Sequence, residues 1–272
     1  MKTIILAGGF GTRLSEYTKQ IPKPMVEIGG KPILWHIMNH YAHYGFKDFV
    51  VALGYKGEVI KDYFLQYYAR NNDFTIDLSN GSVNYINEHA RDWRVTLVDT
   101  GAASLTGGRV LRLKNIIGQE DFMMTYGDAV SDVNISELVS RYRQSNCLAM
   151  VTAVHPTARF GELQIDSDDF VRSFKEKPQV NQGWINGGFF VLSPKVFDYI
   201  ENDLTAFEAA PLERLAAEGQ LMTYRHEGFW QCMDNIREKN MLEDLLAQDK
   251  APWKRWDRQV PSIEARKRNG QI

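Results

Sequence analysis

Apolar residues along the chain fall into two alternating rhythms. Short β-branched or apolar runs, "TIILAG", "FVVALG", "VTLVDTG" and "FMMTYGD", read as strands buried on both faces. Between them stand longer segments with helical spacing, "PILWHIMNHYAHYG", "EVIKDYFLQYYAR", "RVLRLKNII" and "ISELVSRYRQS". Strand and helix in this order predict βαβ units and a parallel sheet, an α/β fold. "IDLSNGSVNYI" departs from the rhythm: Asn80-Gly81 between two alternating segments predicts a hairpin inserted into the layer. After Val151 the pattern becomes mixed, with strands expected at "ELQI", "VRSFKEK", "INGGFFVLS" and "LMTYRHEGFW", and helices near "PLERLAAEG" and "IREKNMLEDLLAQ". No Gly/Ser- or Pro-rich linker separates the halves, so residues 1–256 read as one continuous domain. Residues 257–272 lose apolar periodicity and gather Arg258, Arg266, Lys267 and Arg268, as a flexible solvated tail does.

Composition narrows the function classes. With 272 residues, 44% hydrophobic and 24% charged, the chain has material for a sizeable core, and disordered and fibrous classes are excluded. A formal net charge of -2 offers no electrostatic case for nucleic acid or an acidic membrane as partner, which leaves a small ligand. No apolar run approaches the ~18 residues of a membrane span, and "MKTIILAGGF" is too short and glycine-rich for a secretory core, so a cytoplasmic location is expected. Cys147 and Cys232 have neither CxxC nor metal-ligand spacing, and Cys147, in "CLAMVTAV", reads as a buried thiol.

The first strand runs into "LAGGFGTRL", where Gly8, Gly9 and Gly11 leave backbone N–H groups free to close around phosphate oxygens without Cβ interference. Gly9-Phe10-Gly11-Thr12-Arg13-Leu14 lacks the last glycine of the dinucleotide fingerprint, and no Gly-Lys-Ser/Thr follows for a Walker A loop. What remains is a phosphate loop with its own cation, Arg13. Downstream, "QIPKPMVEIGG" sets Lys23 between Pro22 and Pro24, whose rings stiffen the backbone and aim the lysine. Arg13 and Lys23 together suit a triphosphate; Lys23 alone reads equally as a surface lysine in a proline turn.

"LAGGFGTRL" followed by "PKPMVEIGGKPIL" resembles the sugar-phosphate nucleotidyltransferases, and Met1 to about Trp256 is similar to their glucose-1-phosphate cytidylyltransferase branch. The pieces that carry the resemblance are "GTRLSE", "KPILWHIM", "VTLVDTG", "TGGR", "TYGD", "RFGEL", "SFKEKP", "INGGFFVL" and "GFWQCMD". The resemblance implies a Rossmann-like, mixed but mainly parallel sheet flanked by helices, with small β insertions. It implies conversion of CTP and α-D-glucose 1-phosphate to CDP-glucose and pyrophosphate with Mg²⁺, in a homo-oligomer, a trimer or hexamer, serving surface-polysaccharide (O-antigen) synthesis. It places Leu6, Ala7, Gly8, Gly9, Phe10, Gly11 and Thr12 around the nucleotide, with Arg13 and Lys23 on its phosphates.

That chemistry joins two anions, so the site should be rich in cations and metal ligands. Asp128, in "MMTYGDAV", stands at the carboxyl end of a parallel strand, where α/β sheets bind ligands. Asp234, in "GFWQCMDN", reads from spacing as an N-cap of the helix beginning near Ile236; the resemblance makes it the second metal ligand facing Asp128. Cys232 stands where that family often carries proline. In "SFKEKP", Lys177 suits the sugar phosphate and Glu176 paired sugar hydroxyls, although the two also read as a charged pair at a strand end. The resemblance assigns Asn186 and Gly187 to the sugar, and small residues there would let a ligand approach. For the base, an Arg109 fork would match the O2 and N3 acceptors of cytosine and leave an unpaired donor against uracil, with Ser104 completing the contact. "TGGR" also reads as a helix entry capped by Thr106. His36, His40 and His43 share one helix face, as core residues or metal ligands. His155 departs from the family run ahead of "RFG". Two alternatives stand beside the leading one: transfer from UTP or dTTP or to another phosphorylated acceptor, and a non-catalytic nucleotide-binding regulator. The full set Arg13, Lys23, Asp128, Lys177 and Asp234 argues against the regulator.

Overall fold

The computed structural model describes residues 1–86, 91–156, 162–165, 171–175 and 183–257, so of the tail expected over 257–272 only Asp257 is described, at the end of the 3-10 turn Arg255–Asp257. Seven strands form the main sheet: β1 (Thr3–Ala7), β2 (Asp48–Leu53), β3 (Arg94–Asp99), β4 (Phe122–Tyr126), β5 (Ala149–Val154), β6 (Ile185–Leu192) and β7 (Leu221–His226). Their order across the sheet is β7-β5-β6-β4-β1-β2-β3. β1 runs parallel to both β2 and β4, β2 to β3, and β5 to β7; β6 runs against its neighbours β5 and β4. The chain thus builds outward from β1 to β3, then returns to the other side of β1 as β4. The crevice between the carboxyl ends of β1 and β4 is a topological switch point, the place where open α/β sheets take ligands.

Alternation along the strands fills two cores. Ile5 and Ala7 face one layer and Ile4 and Leu6 the other, all nearly inaccessible to solvent. The first layer is closed by α1 (Ile33–His43), α2 (Gly57–Leu65), α4 (Ile135–Gln144) and α6 (Ile236–Ala247); the second by α3 (Thr106–Arg112) and α5 (Ala210–Ala217). On α1 the buried Ile33, Leu34, Ile37, Met38 and Tyr41 make the apolar stripe the sequence anticipates. Two of its histidines are core residues, His36 Nε2 and His40 Nε2 each lying 2.9 Å from a carbonyl, of Ile28 and Val133, while His43 at the helix end is exposed. The expected single helix "EVIKDYFLQYYAR" is broken at Gln66, whose φ of -91° and ψ of 0° interrupt it before Tyr67–Asn71.

The hairpin expected at Asn80-Gly81 is present, with Phe74–Asp77 antiparallel to Ser82–Tyr85 in a sheet of its own. A second short ribbon matters more for the site. Trp230–Cys232 pairs antiparallel with Ala129–Ser131, and the Met233 N–H donates to the Asp128 carbonyl at 2.8 Å. This ribbon carries Asp234 across to Asp128. No helix among the described residues is long and apolar enough to cross a membrane.

Candidate active site

A cleft of about 370 Å³ opens at the switch point, lined by the glycine loop from Leu6 to Arg13 and by Lys23, Ser104, Arg109, Asp128 and Asp234. Every nucleotide-side residue expected from the sequence therefore stands on one cleft. Gly11 has φ +62°, a left-handed conformation that favours glycine, and starts a single 3-10 turn, Thr12–Leu14. The loop is fixed from outside by the Tyr55 N–H, which donates to the Gly8 carbonyl at 3.2 Å, and by the Thr18 hydroxyl, which donates to the Gly11 carbonyl at 3.0 Å. Gly9 faces open space.

Lys23 follows Pro22, held extended at φ -69° and ψ 149°, and lies in a 3-10 turn with Pro24. It is 8% exposed, which rules out the surface-lysine reading. Its ammonium donates to Asp128 Oδ2 at 2.6 Å and Asp234 Oδ1 at 2.5 Å, so these oxygens lie within about 5 Å of each other. Burial works against the charge, but Asp128 and Asp234 outweigh it and hold the Lys23 pKa above its usual value. Arg13, largely exposed, reaches the other oxygen of Asp234 at 2.6 Å.

Asp234 is not the helix cap that its spacing suggests. The N-cap of α6 is Asn235, whose side chain accepts from the Glu238 N–H at 3.0 Å, while Glu238 accepts from the Asp234 N–H at 2.6 Å. The Asp234 carboxylate is thereby left for the cleft. Two hard oxygen donors already converging on one cation fit a divalent metal completed by substrate phosphates. Glu238, which sequence reasoning passed over, brings a ligand atom within 4.8 Å of those of Cys232 and Asp234; an Asn-x-x-Glu capping box was its only signal. Burial, reinforced by Asp234 and Glu238, pushes the Cys232 thiol up to about 12.

Arg109 corrects the expectation of a fork offered to a base. It is 4% exposed, and its terminal nitrogens donate to backbone carbonyls: Nη1 to Leu53 at 3.0 Å and Gly101 at 2.7 Å, Nη2 to Gly8 at 2.9 Å and Ala102 at 3.3 Å. Nη1 also donates to the Thr100 hydroxyl at 2.9 Å. The guanidinium ties together the three loops that form the cleft wall. Thr106 does not cap α3, whose N-cap is Leu105 without a side-chain bond; its hydroxyl donates to Glu208 and accepts from the Phe207 N–H.

On the sugar side, Glu176 and Lys177 lie outside the described residues. Asn186 stands beside Tyr126, at 3.2 Å from its hydroxyl. Gly187 is buried, a Cβ there would stand 2.6 Å from Val154 Cγ1, and its carbonyl accepts from Trp230 Nε1 at 2.8 Å. Its missing side chain thus serves packing, a correction to the reading that it opens the backbone to a ligand. A second cavity of about 640 Å³ adjoins the first through Arg13 and Asp234, and Trp230 and Arg237 line it. Tyr126, which lines the cleft and whose hydroxyl donates to Glu208 at 2.7 Å, is marked in the sequence only as part of "TYGD", and "TAFEAAP" carries no recognisable signal for Glu208.

Comparison with known proteins accords with this geometry. The glucose-1-phosphate cytidylyltransferase of Salmonella typhi is 49% identical over 258 residues, covering 94% of this chain and all of the relative. A probable glucose-1-phosphate cytidylyltransferase of Bacillus subtilis is 47% identical over 259 residues, again 94% of this chain and all of the relative. In fold, the crystal structure of HddC from Yersinia pseudotuberculosis superposes with a TM-score of 0.67 at 23% identity, over 90% of this chain and 99% of that one. The model of the nucleotidyl transferase family matches residues 2–233, from the first strand to the ribbon that delivers Asp234, and the chain belongs to that family.

Proposed function

We infer that the protein transfers CMP from CTP to α-D-glucose 1-phosphate, giving CDP-glucose and pyrophosphate. The extent of its identity to glucose-1-phosphate cytidylyltransferases supports these substrates. A phosphate oxygen of the sugar phosphate attacks the α-phosphorus of CTP; the new P–O bond forms as the bond to the β-phosphate bridging oxygen breaks, and pyrophosphate leaves with that oxygen. Charge repulsion and orientation are the main obstacles, and no covalent enzyme intermediate is required.

The observation that carries this reading is the buried Lys23 ammonium bridging Asp128 and Asp234 at the mouth of the glycine loop. The loop N–H groups cradle the phosphates, and Arg13, free to swing from Asp234, neutralises them. Asp128 and Asp234 would hold Mg²⁺, which when bound supplies Lewis-acid neutralisation of phosphate oxygens. Lys23 keeps the two carboxylates converged and contributes a positive charge to the same place. Arg109 shapes the base wall from behind through the carbonyls of Gly8 and Ala102. Lys177 holds the sugar phosphate and Glu176 and Asn186 the sugar hydroxyls. We place the enzyme in the cytoplasm, supplying an activated glucose for surface-polysaccharide synthesis. We also read it as a homo-oligomer, because Leu65 at the end of α2 and Phe74, Ile76 and Leu78 of the hairpin leave large apolar side chains exposed.

Pyrophosphate release with CTP, Mg²⁺ and glucose 1-phosphate, run beside UTP, dTTP and ATP, tests the reading. Release with CTP alone is the expected result; release with another nucleotide overturns the base assignment, and none with any acceptor overturns the reaction.

A further inference from the structure

Beside the cleft, whose lining includes Thr106 and Tyr126, lies a chain of hydrogen bonds in which every direction is fixed. The Gly188 N–H can only donate, so the atom 2.8 Å from it is Asn186 Oδ1. The other end of that amide, Nδ2, therefore faces Tyr126 and donates to its hydroxyl at 3.2 Å. The single phenol proton must then go elsewhere, and it goes to Glu208 Oε1 at 2.7 Å. The other Glu208 oxygen accepts from Thr106 Oγ1 at 2.5 Å, and Thr106 accepts in turn from the Phe207 N–H at 2.9 Å. Burial and the Glu208 charge push the Tyr126 phenol well above its usual range, so the proton stays on it.

We propose that Glu208 is a positioning residue for the sugar phosphate, acting through Tyr126 to lock the Asn186 side-chain amide with its second Nδ2 proton available to a sugar hydroxyl. An ionised carboxylate only accepts, which makes Tyr126 a donor toward Glu208 and an acceptor toward Asn186. Without it the phenol proton is free to turn to Asn186, where it favours the flipped amide and leaves the Gly188 N–H facing an NH₂ group. Glu208 is itself exposed and outside the cleft lining, so its influence on the substrate passes through the relay. The inference rests on the reading of Asn186 as a sugar contact.

Steady-state kinetics of Glu208→Ala, Glu208→Gln, Tyr126→Phe and the Glu208→Ala/Tyr126→Phe double variant test it. Glu208→Ala and Tyr126→Phe should each raise the KM for glucose 1-phosphate about 10-fold, with kcat and the KM for CTP within about 3-fold of the parent. Glu208→Gln should stay near the parent, because its carbonyl accepts from Tyr126 while its amide donates to Thr106. The double variant should be no worse than either single one. Loss in kcat or in CTP binding alone, a Glu208→Gln variant as impaired as Glu208→Ala, or additive losses would overturn the proposal. The ¹⁵N side-chain resonance of Asn186 gives a readout that needs no turnover: it should move in Glu208→Ala and not in Glu208→Gln, and equal spectra in all three would sink the relay. A parent enzyme inert toward glucose 1-phosphate, with the resonance behaving as expected, would instead refute the substrate assignment.

Discussion

The Arg109 guanidinium lies so close over Gly8 that a Cβ on Gly8 would stand 2.2 Å from Arg109 Cζ. The pair explains why the glycine loop cannot be built without α3: the loop has no side chain at Gly8 because the space belongs to the arginine that holds it.

Gly8→Ala should therefore displace a buried guanidinium from its carbonyl acceptors and destabilise the fold by about 3 kcal/mol or more. Gly9→Ala, whose Cβ would enter open space, should leave stability within about 0.5 kcal/mol while raising the KM for CTP. Urea unfolding and initial rates on the two variants check the contrast; equal stability of the pair would refute the role given to Arg109.

Asp128→Asn and Asp234→Asn each remove one oxygen anion from the pair that Lys23 bridges. Each should lower kcat by about 100-fold or more and shift half-maximal activity to higher Mg²⁺ concentration. A metal titration of pyrophosphate release measures both, and turnover within a few-fold of the parent would dismiss the ligand assignment.

Neighbouring residues Asp234 and Asn235 divide two tasks. Asn235→Ala should cost about 1 kcal/mol of stability through the lost cap of α6, with kcat little changed. Asp234→Asn should instead collapse kcat while leaving the Asn235 cap bond intact. Thermal unfolding beside initial rates separates the two, and a catalytic collapse in Asn235→Ala with unchanged stability would contradict this division.

Burial holds the His36 pKa down to about 4 and that of His40 down to about 3, against 6.5 in the unfolded chain. Between these values the unfolded chain binds protons that the native one does not, so stability falls as pH drops below about 6.5 and rises as pH increases. The slope contributed is about 1.4 kcal/mol per pH unit for each histidine, ending near pH 4 for His36 and pH 3 for His40. His40→Leu should shed one histidine's share of the slope. Denaturant midpoints collected from pH 7 down to 4 would reveal it, and an unchanged slope would contradict the assignment.

Much of this was legible in the sequence for a physical reason. The β1, β2 and β4 strands are buried on both faces and so write continuous apolar runs, and the glycine loop and Asp128 each follow such a run. Local spacing could not place the rest. Asp234 and Asn235 are both good caps, and only the ribbon Trp230–Cys232, paired across the fold, decides which of them turns to the cleft. Arg109 suggested a base contact by its charge, but its partners are backbone carbonyls, two of them, of Gly8 and Leu53, from segments far away in sequence. Glu208 is an ordinary exposed glutamate until α3 and β4 are brought beside it.

The Lys23 joint spans 105 positions to Asp128 and 211 to Asp234. A chain emerging from the ribosome thus carries its phosphate loop almost at once but lacks the second carboxylate until residue 234 has been made and the closing ribbon has formed. The three-residue joint is therefore withheld from incomplete chains by topology alone, and a product truncated ahead of that ribbon would lack it however well its first half folded.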